Sequence, residues 1–160
     1  MTTEQSGVGT VASTNGNEHA DWLTEPIHAV IFDMDGVLID SEPIYFDIEK
    51  STFVHFGAQV EEAEHHTYVG VTLASMFQQV QERHGLSCTV EDMLSFHVKH
   101  VMDVIQEHPD LHPFDGLTDW LQWLQKKGVP MMVASSSPRA LIELILERLN
   151  IRQYFQGMIS

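Results

Sequence analysis

The apolar run Ala29-Val30-Ile31-Phe32 ends directly in Asp33-Met34-Asp35-Gly36, and this junction restricts the fold more than any other part of the chain. The run is too short for a buried helix and is β-branched and aromatic, so it reads as a strand of a parallel sheet covered on both faces. Asp33 then falls at the carboxyl end of that strand, where open α/β sheets bind their ligands. Gly36 allows the sharp turn that must follow. Two aspartates at such a mouth lose solvation and repel each other. A hard cation makes their charge useful, and Mg²⁺ takes a few carboxylate oxygens, keeps several waters and works with phosphate substrates. Were Asp33 to attack a phosphoryl group, the repulsion at ~4 Å and an effective dielectric near 20 would be on the order of 8 kcal/mol, so the metal would serve approach as well as the transition state. Asp35 could then protonate the departing alkoxide and later activate water against the acyl phosphate.

The full stretch, Asp33-Met34-Asp35-Gly36-Val37-Leu38-Ile39-Asp40-Ser41-Glu42, resembles the first signature of the haloacid dehalogenase-like hydrolase superfamily. The pattern Asp-x-Asp-Gly-(Val/Thr)-(Leu/Ile)-x-Asp-Ser-Glu occurs in its sugar-phosphate phosphatases and β-phosphoglucomutase-like enzymes. The resemblance implies Asp33 as nucleophile and Asp35 as acid and base. It also implies Mg²⁺ held by the Asp33 side chain and the Asp35 main-chain carbonyl. The expected fold is α/β, a three-layer Rossmann-like parallel sheet with a helical cap inserted after the first strand and a core incomplete at its C-terminal side.

A formal net charge of −15 over 160 residues argues against nucleic acid or an anionic membrane as partner, and does not exclude the small phosphorylated metabolite that the resemblance implies. No feature points to a protein partner. The single cysteine, Cys88, suits a reducing compartment, and no apolar run is long enough to span a membrane. Residues 1–26 are small and polar, without Lys or Arg, and read as a disordered tail without a targeting signal, so the cytoplasm is the expected location.

After Glu42, Pro43 suits the first turn of a helix that Gly57 would stop. Further helices are expected over 72–84, ending at Gly85, and over 90–107, opening on the capping-box variant Thr89-Val90-Glu91-Asp92. Roughly seventy mostly helical residues thus separate the first two strands, far more than a crossover needs. The resemblance explains residues 42–112 as the cap and residues 27–41 with 113–160 as the α/β core. Tyr68-Val69-Gly70-Val71-Thr72 resembles the cap loop facing the catalytic carboxylates, with Gly70 and Thr72 as substrate-side candidates. His97 and His100, spaced i,i+3, could share a metal, but no third ligand accompanies them and an exposed helix surface is expected.

His112-Pro113-Phe114-Asp115-Gly116 returns the chain to the core. A helix over 117–127 should bury Leu117, Trp120, Leu121 and Leu124, with Gly128 at its end, and a strand should follow over 129–134. The strand ends in Ser135-Ser136-Ser137-Pro138, whose hydroxyls and free N–H groups before a helix can cradle phosphate. Ser137 is the expected N-cap and Pro138 the first helical residue. This matches the second signature of the family and puts Ser135, with Ser136, on the phosphate. A helix over 138–149 and the start of a third strand at 157–160 complete the pattern.

The family's third signature, a lysine, and its fourth, an acidic pair completing the Mg²⁺ shell, have no counterpart, since no lysine or aspartate follows Ser135. The chain is therefore expected to be a fragment of a longer enzyme or a truncated, non-catalytic product. For the intact protein the implied activity is Mg²⁺-dependent hydrolysis of a small phosphomonoester, such as a sugar phosphate, through an aspartyl-phosphate. The rival within the family, a phosphomutase, needs basic groups in its cap to hold a second phosphate. Between Glu42 and His112 only Lys50, Arg83 and Lys99 are basic besides histidine, and Tyr45 stands where the mutases resemble one another in carrying histidine.

Overall fold

The computed structural model describes residues 26–160; the expected tail, apart from Pro26, lies outside the described residues. Strands β1 (Val30–Phe32), β2 (Met131–Ala134) and β3 (Gly157–Ile159) form a parallel sheet in that order. Val30 pairs with Met131, Phe32 with Val133, and Val133 with Met158. Helices α5 (Leu117–Lys126) and α6 (Arg139–Arg148) lead into β2 and out of it. Both connections step the same way across the sheet, and connections of one hand that do so leave their helices on one face. Burial agrees: Phe32, Met131, Val133 and Met158 are buried in one core with Leu121, Leu124, Ile142 and Ile145. On the opposite face Ile31 and Ile159 are 66% and 57% exposed. The expectation that the first strand is covered on both faces is therefore not met at Ile31.

Four helical segments lie between β1 and α5: α1 (Glu42–His55), α2 (Glu62–His65) with a 3₁₀ turn at His66–Tyr68, α3 (Leu73–His84) and α4 (Val90–Glu107). Their ends follow local chemistry. Thr72 caps α3 by accepting from the Ser75 N–H, and Gly85 ends it at φ 62°, a left-handed conformation that costs glycine least. At α4 the Thr89 hydroxyl accepts from the Asp92 N–H while the Asp92 carboxylate accepts from the Thr89 N–H, a complete capping box. The short α2 carries no apolar stripe and was not expected.

Two apolar clusters result. The larger one surrounds the sheet, and the smaller joins Phe53, Ala58, Tyr68, Met76, Phe77, Val80 and Met93 among the inserted helices. α1 and α4 run through both: Ile48 and Val101 belong to the first, Phe53 and Met93 to the second.

Two local expectations need correction. Trp120 is 47% exposed rather than buried, because Leu117, Leu121 and Leu124 fill the stripe, and its ring meets that of Phe32 in a T-shaped contact, 5.2 Å between centroids. Ser137 does not cap α6; Pro138 holds that position and the helix starts at Arg139. The Ser137 hydroxyl is directed elsewhere.

Candidate active site

β1 delivers Asp33 to its carboxyl end, where the side chain is exposed and accepts a 2.7 Å hydrogen bond from the Met34 N–H. The chain then coils tightly. The Met34 carbonyl accepts from Leu38, Gly36 at φ 73° donates to the Ile39 carbonyl, and Met34, Leu38 and Ile39 are buried. This turn fixes Asp35, whose carboxylate accepts from the Ser41 hydroxyl at 2.6 Å and from the Ser137 hydroxyl at 3.4 Å. Ser41 is itself 1% exposed. The hydroxyl expected to cap α6 thus ties the second strand's loop to the first strand's aspartate.

At the end of β2, the Ser135 N–H continues the ladder to the Ile159 carbonyl, and the Ser135 hydroxyl accepts from the Ser137 N–H at 3.1 Å. Ser136 is exposed and lines a cleft of about 560 Å³ with Asp35, Tyr45, Glu49, Leu73, His97, Ser137 and residues of α4 and α6. A second cleft of about 370 Å³ lies under the inserted helices and shares Tyr45, Glu49 and Leu73 with the first. Gly70 lines it; Thr72 lines neither cleft and spends its hydroxyl on capping α3. The structure thus brings Asp35, Ser136 and Ser137 to one wall and leaves Thr72 apart.

Tyr45 was singled out in the sequence only as a departure from histidine. Its phenol is pushed up to about 12, by burial first and then by the nearby Asp35 charge, and it faces both Asp35 and Ser137. It stays protonated and can donate. Ser41 and Ser137 were missed as partners of Asp35. The available signal was that both stand inside the stretches that match the family's signatures, Ser41 in the first and Ser137 in the serine run of the second.

His97 is a further correction. It is 5% exposed rather than on the surface, because Met93, His97, Val101 and Ile105 recur at i+4 along the inward stripe of α4. Its ring meets Phe77 edge-on, and Nδ1 lies 3.5 Å from the Thr52 hydroxyl. Burial, with the neighbouring His100, lowers its pKa to about 4. His100 instead meets the Ser51 hydroxyl at 2.7 Å.

The Asp33 carboxylate and the carbonyls beside it are hard oxygen donors and fit Mg²⁺ in kind. They supply only part of a shell, since among the described residues no group of three or more His, Cys, Asp or Glu could hold a metal ion. No helix among the described residues is long and apolar enough to cross a membrane.

The strand-end aspartates, the serine loop and the inserted helices together define a class. A family model described as haloacid dehalogenase-like hydrolase matches residues 30–160, and the chain belongs to that family. The relatives make the likeness more specific. A phosphorylated carbohydrates phosphatase of Thermotoga maritima is 30% identical over 146 residues, covering 83% of this chain and 61% of that protein. A phosphoglycolate phosphatase of Pseudomonas fluorescens is 26% identical over 137 residues, covering 82% of this chain and 49% of the relative. Among solved structures, a Thermotoga maritima protein assigned as a β-phosphoglucomutase superposes with a TM-score of 0.70 at 28% identity, over 82% of this chain and 60% of its own. The chain therefore spans about half to three-fifths of the length of these relatives.

Proposed function

We propose that the intact protein hydrolyses a small phosphomonoester, a phosphorylated carbohydrate, with Asp33 as nucleophile and Asp35 as acid and base. The observation that carries this reading is the position of Asp35, two residues beyond the strand-end Asp33, gripped by the Ser41 and Ser137 hydroxyls and lining the larger cleft. Asp33 attacks phosphorus and forms an aspartyl-phosphate while the bond to the leaving oxygen breaks and Asp35 gives that oxygen its proton. Asp35 then takes a proton from the water that attacks the same phosphorus, which releases phosphate and restores Asp33. Ser135 and Ser136 bind the oxygens that are not transferred, and Gly70 borders the leaving group. Mg²⁺ would be held by the Asp33 carboxylate and the Asp35 carbonyl and, when bound, supplies the positive charge that offsets the phosphoryl group. We assign residues 27–41 and 113–160 to the hydrolase core and 42–112 to a cap that closes over the cleft and excludes water. The setting is the cytoplasm, in keeping with the lone Cys88.

The likeness to the β-phosphoglucomutase structure favours a second reading, a mutase. Against it stand Tyr45 and the carboxylates Glu42 and Glu49, which line the smaller cleft where a second phosphate would have to be held. The test is covalent trapping. Intact protein mixed with substrate and quenched should carry a phosphoryl adduct, and Asp33→Asn should lose adduct and turnover together. Full turnover by Asp33→Asn would refute the mechanism.

A further inference from the structure

The smaller cleft holds a hydrogen-bonded pair that the proposed chemistry leaves unused. Glu49 on α1 lines both clefts, and its carboxylate lies 2.6 Å from Nε2 of His65. His65 also lines the smaller cleft, yet it is only 3% exposed, and its Nδ1 has no hydrogen-bond partner. The ring is clamped, stacked on Phe46 at 4.1 Å and set edge-on to Phe53 at 5.3 Å. It can point at Glu49 and little else.

We infer that Glu49, positioned by His65, reads hydroxyl groups on the leaving alcohol, so that the site prefers phosphomonoesters of neutral polyhydroxy compounds to those bearing a carboxylate or a second phosphate. The inference rests on the phosphatase reading above and narrows its substrate class. The chemistry is one of matching donors to acceptors. A carboxylate accepts hydrogen bonds only, and an imidazole donating through Nε2 to Glu49 offers, when neutral, just the Nδ1 lone pair. Glu42 adds a second carboxylate to the same lining. Of the phenols in the lining, Tyr68 donates to Glu64 at 2.7 Å and Tyr45 is turned towards Asp35 and Ser137. Beside the His66 imidazole and the Tyr45 phenol, the side chains facing a leaving alcohol near Glu49 are therefore dominated by the carboxylates Glu42 and Glu49. A sugar or polyol hydroxyl can donate to them, whereas a carboxylate or phosphate has no proton to give near neutral pH and is repelled. A site built to bond a hydroxyl rejects analogues lacking one strongly, because its own polar group is then left unpaired.

The experiment compares kcat/KM of the intact protein for a hexitol 6-phosphate, 2-phosphoglycolate and 4-nitrophenyl phosphate. The hexitol ester should exceed phosphoglycolate by roughly ten- to a hundredfold, as expected for a hydrogen bond to a charged group. In Glu49→Gln and Glu49→Lys that ratio should fall, chiefly through KM. His65→Leu should lower it too, and His65→Gln, which keeps a donor at the place of Nε2, should restore it. A wild type that prefers phosphoglycolate while hydrolysing 4-nitrophenyl phosphate overturns this inference alone, and so does an unchanged ratio in Glu49→Lys. Hydrolysis of none of the three esters overturns the phosphatase reading and this inference with it. The wild-type comparison decides the matter even where a variant does not fold.

Discussion

The sheet side and the insert side of the candidate site are built differently. At the sheet end, where we propose the phosphate binds, Asp33, Asp35 and Ser41 come from one short segment, and Ser135 to Ser137 come from another at the next strand end. At the end formed by the inserted helices, which we assign to a cap, Glu49 of α1 meets His65 of α2, and Gly70 stands beyond the 3₁₀ turn. The first end is dictated by short-range chemistry on a sheet, which can hold reacting atoms tightly. The second depends on how helices pack, which lets the pocket's shape and hydrogen bonding vary while the chemistry stays fixed. Changes at the phosphate end should therefore affect all substrates alike, and changes at the cap end should alter preference.

The largest effect expected is from metal removal. A chelator should abolish turnover by the intact protein for every phosphomonoester, and Mg²⁺ should restore it where Ca²⁺, with longer bonds and looser geometry, restores little. Steady-state rates in chelator, with each metal added back, check this. Equal rates with and without chelator would remove the metal from the account.

Next in size is Asp35→Asn. Losing the acid and base should lower kcat by about 10²- to 10⁴-fold, and by a similar factor for a sugar ester and an aryl ester if the phosphate end is indifferent to the leaving group's hydroxyls. A selective loss would sharpen the comparison differently. An aryl oxide leaves without much help from an acid, so a smaller loss there would assign the main role of Asp35 to leaving-group protonation.

The same contrast decides what could be read from the sequence. The placement of Asp33 and Asp35 at a strand end was legible because a short β-branched apolar run passes there into two carboxylates and a glycine turn. Helices α3 and α4 were legible because their caps are local, Thr72 at one and Thr89 with Asp92 at the other, and α5 and α6 because their apolar residues recur at helical spacing. The Glu49–His65 pair was not, since nothing in sequence joins residues whose rings and carboxylates meet only after α1 and α2 pack. Ser137 was misread for a related reason. It suits an N-cap by type, but Asp35, distant in sequence, lies within reach of its hydroxyl. Polar residues on buried stripes defeat pattern reading as well, and His97 is the example.

His97 gives the smallest prediction and ties the two ends together, because it lies on α4, lines the larger cleft and packs on Phe77 of the smaller apolar cluster. Its pKa in the fold is lowered to about 4, by burial and then by His100, from an ordinary 6.5. The unfolded chain therefore binds the proton more readily between those values. The neutral ring's full contribution is present above about pH 6.5, declines as the pH falls towards 4, and changes no further below that. The displacement corresponds to about 3 kcal/mol lost across that window. His97→Leu should remove this part of the pH dependence, so the stability difference between wild type and variant should change with pH by up to that amount. Urea unfolding of both proteins at pH 7 and pH 4.5 measures it. Parallel pH profiles would show that His97 is hydrated in solution, and that the packing of α4 against α1 and α3 is looser there than its 5% exposure indicates.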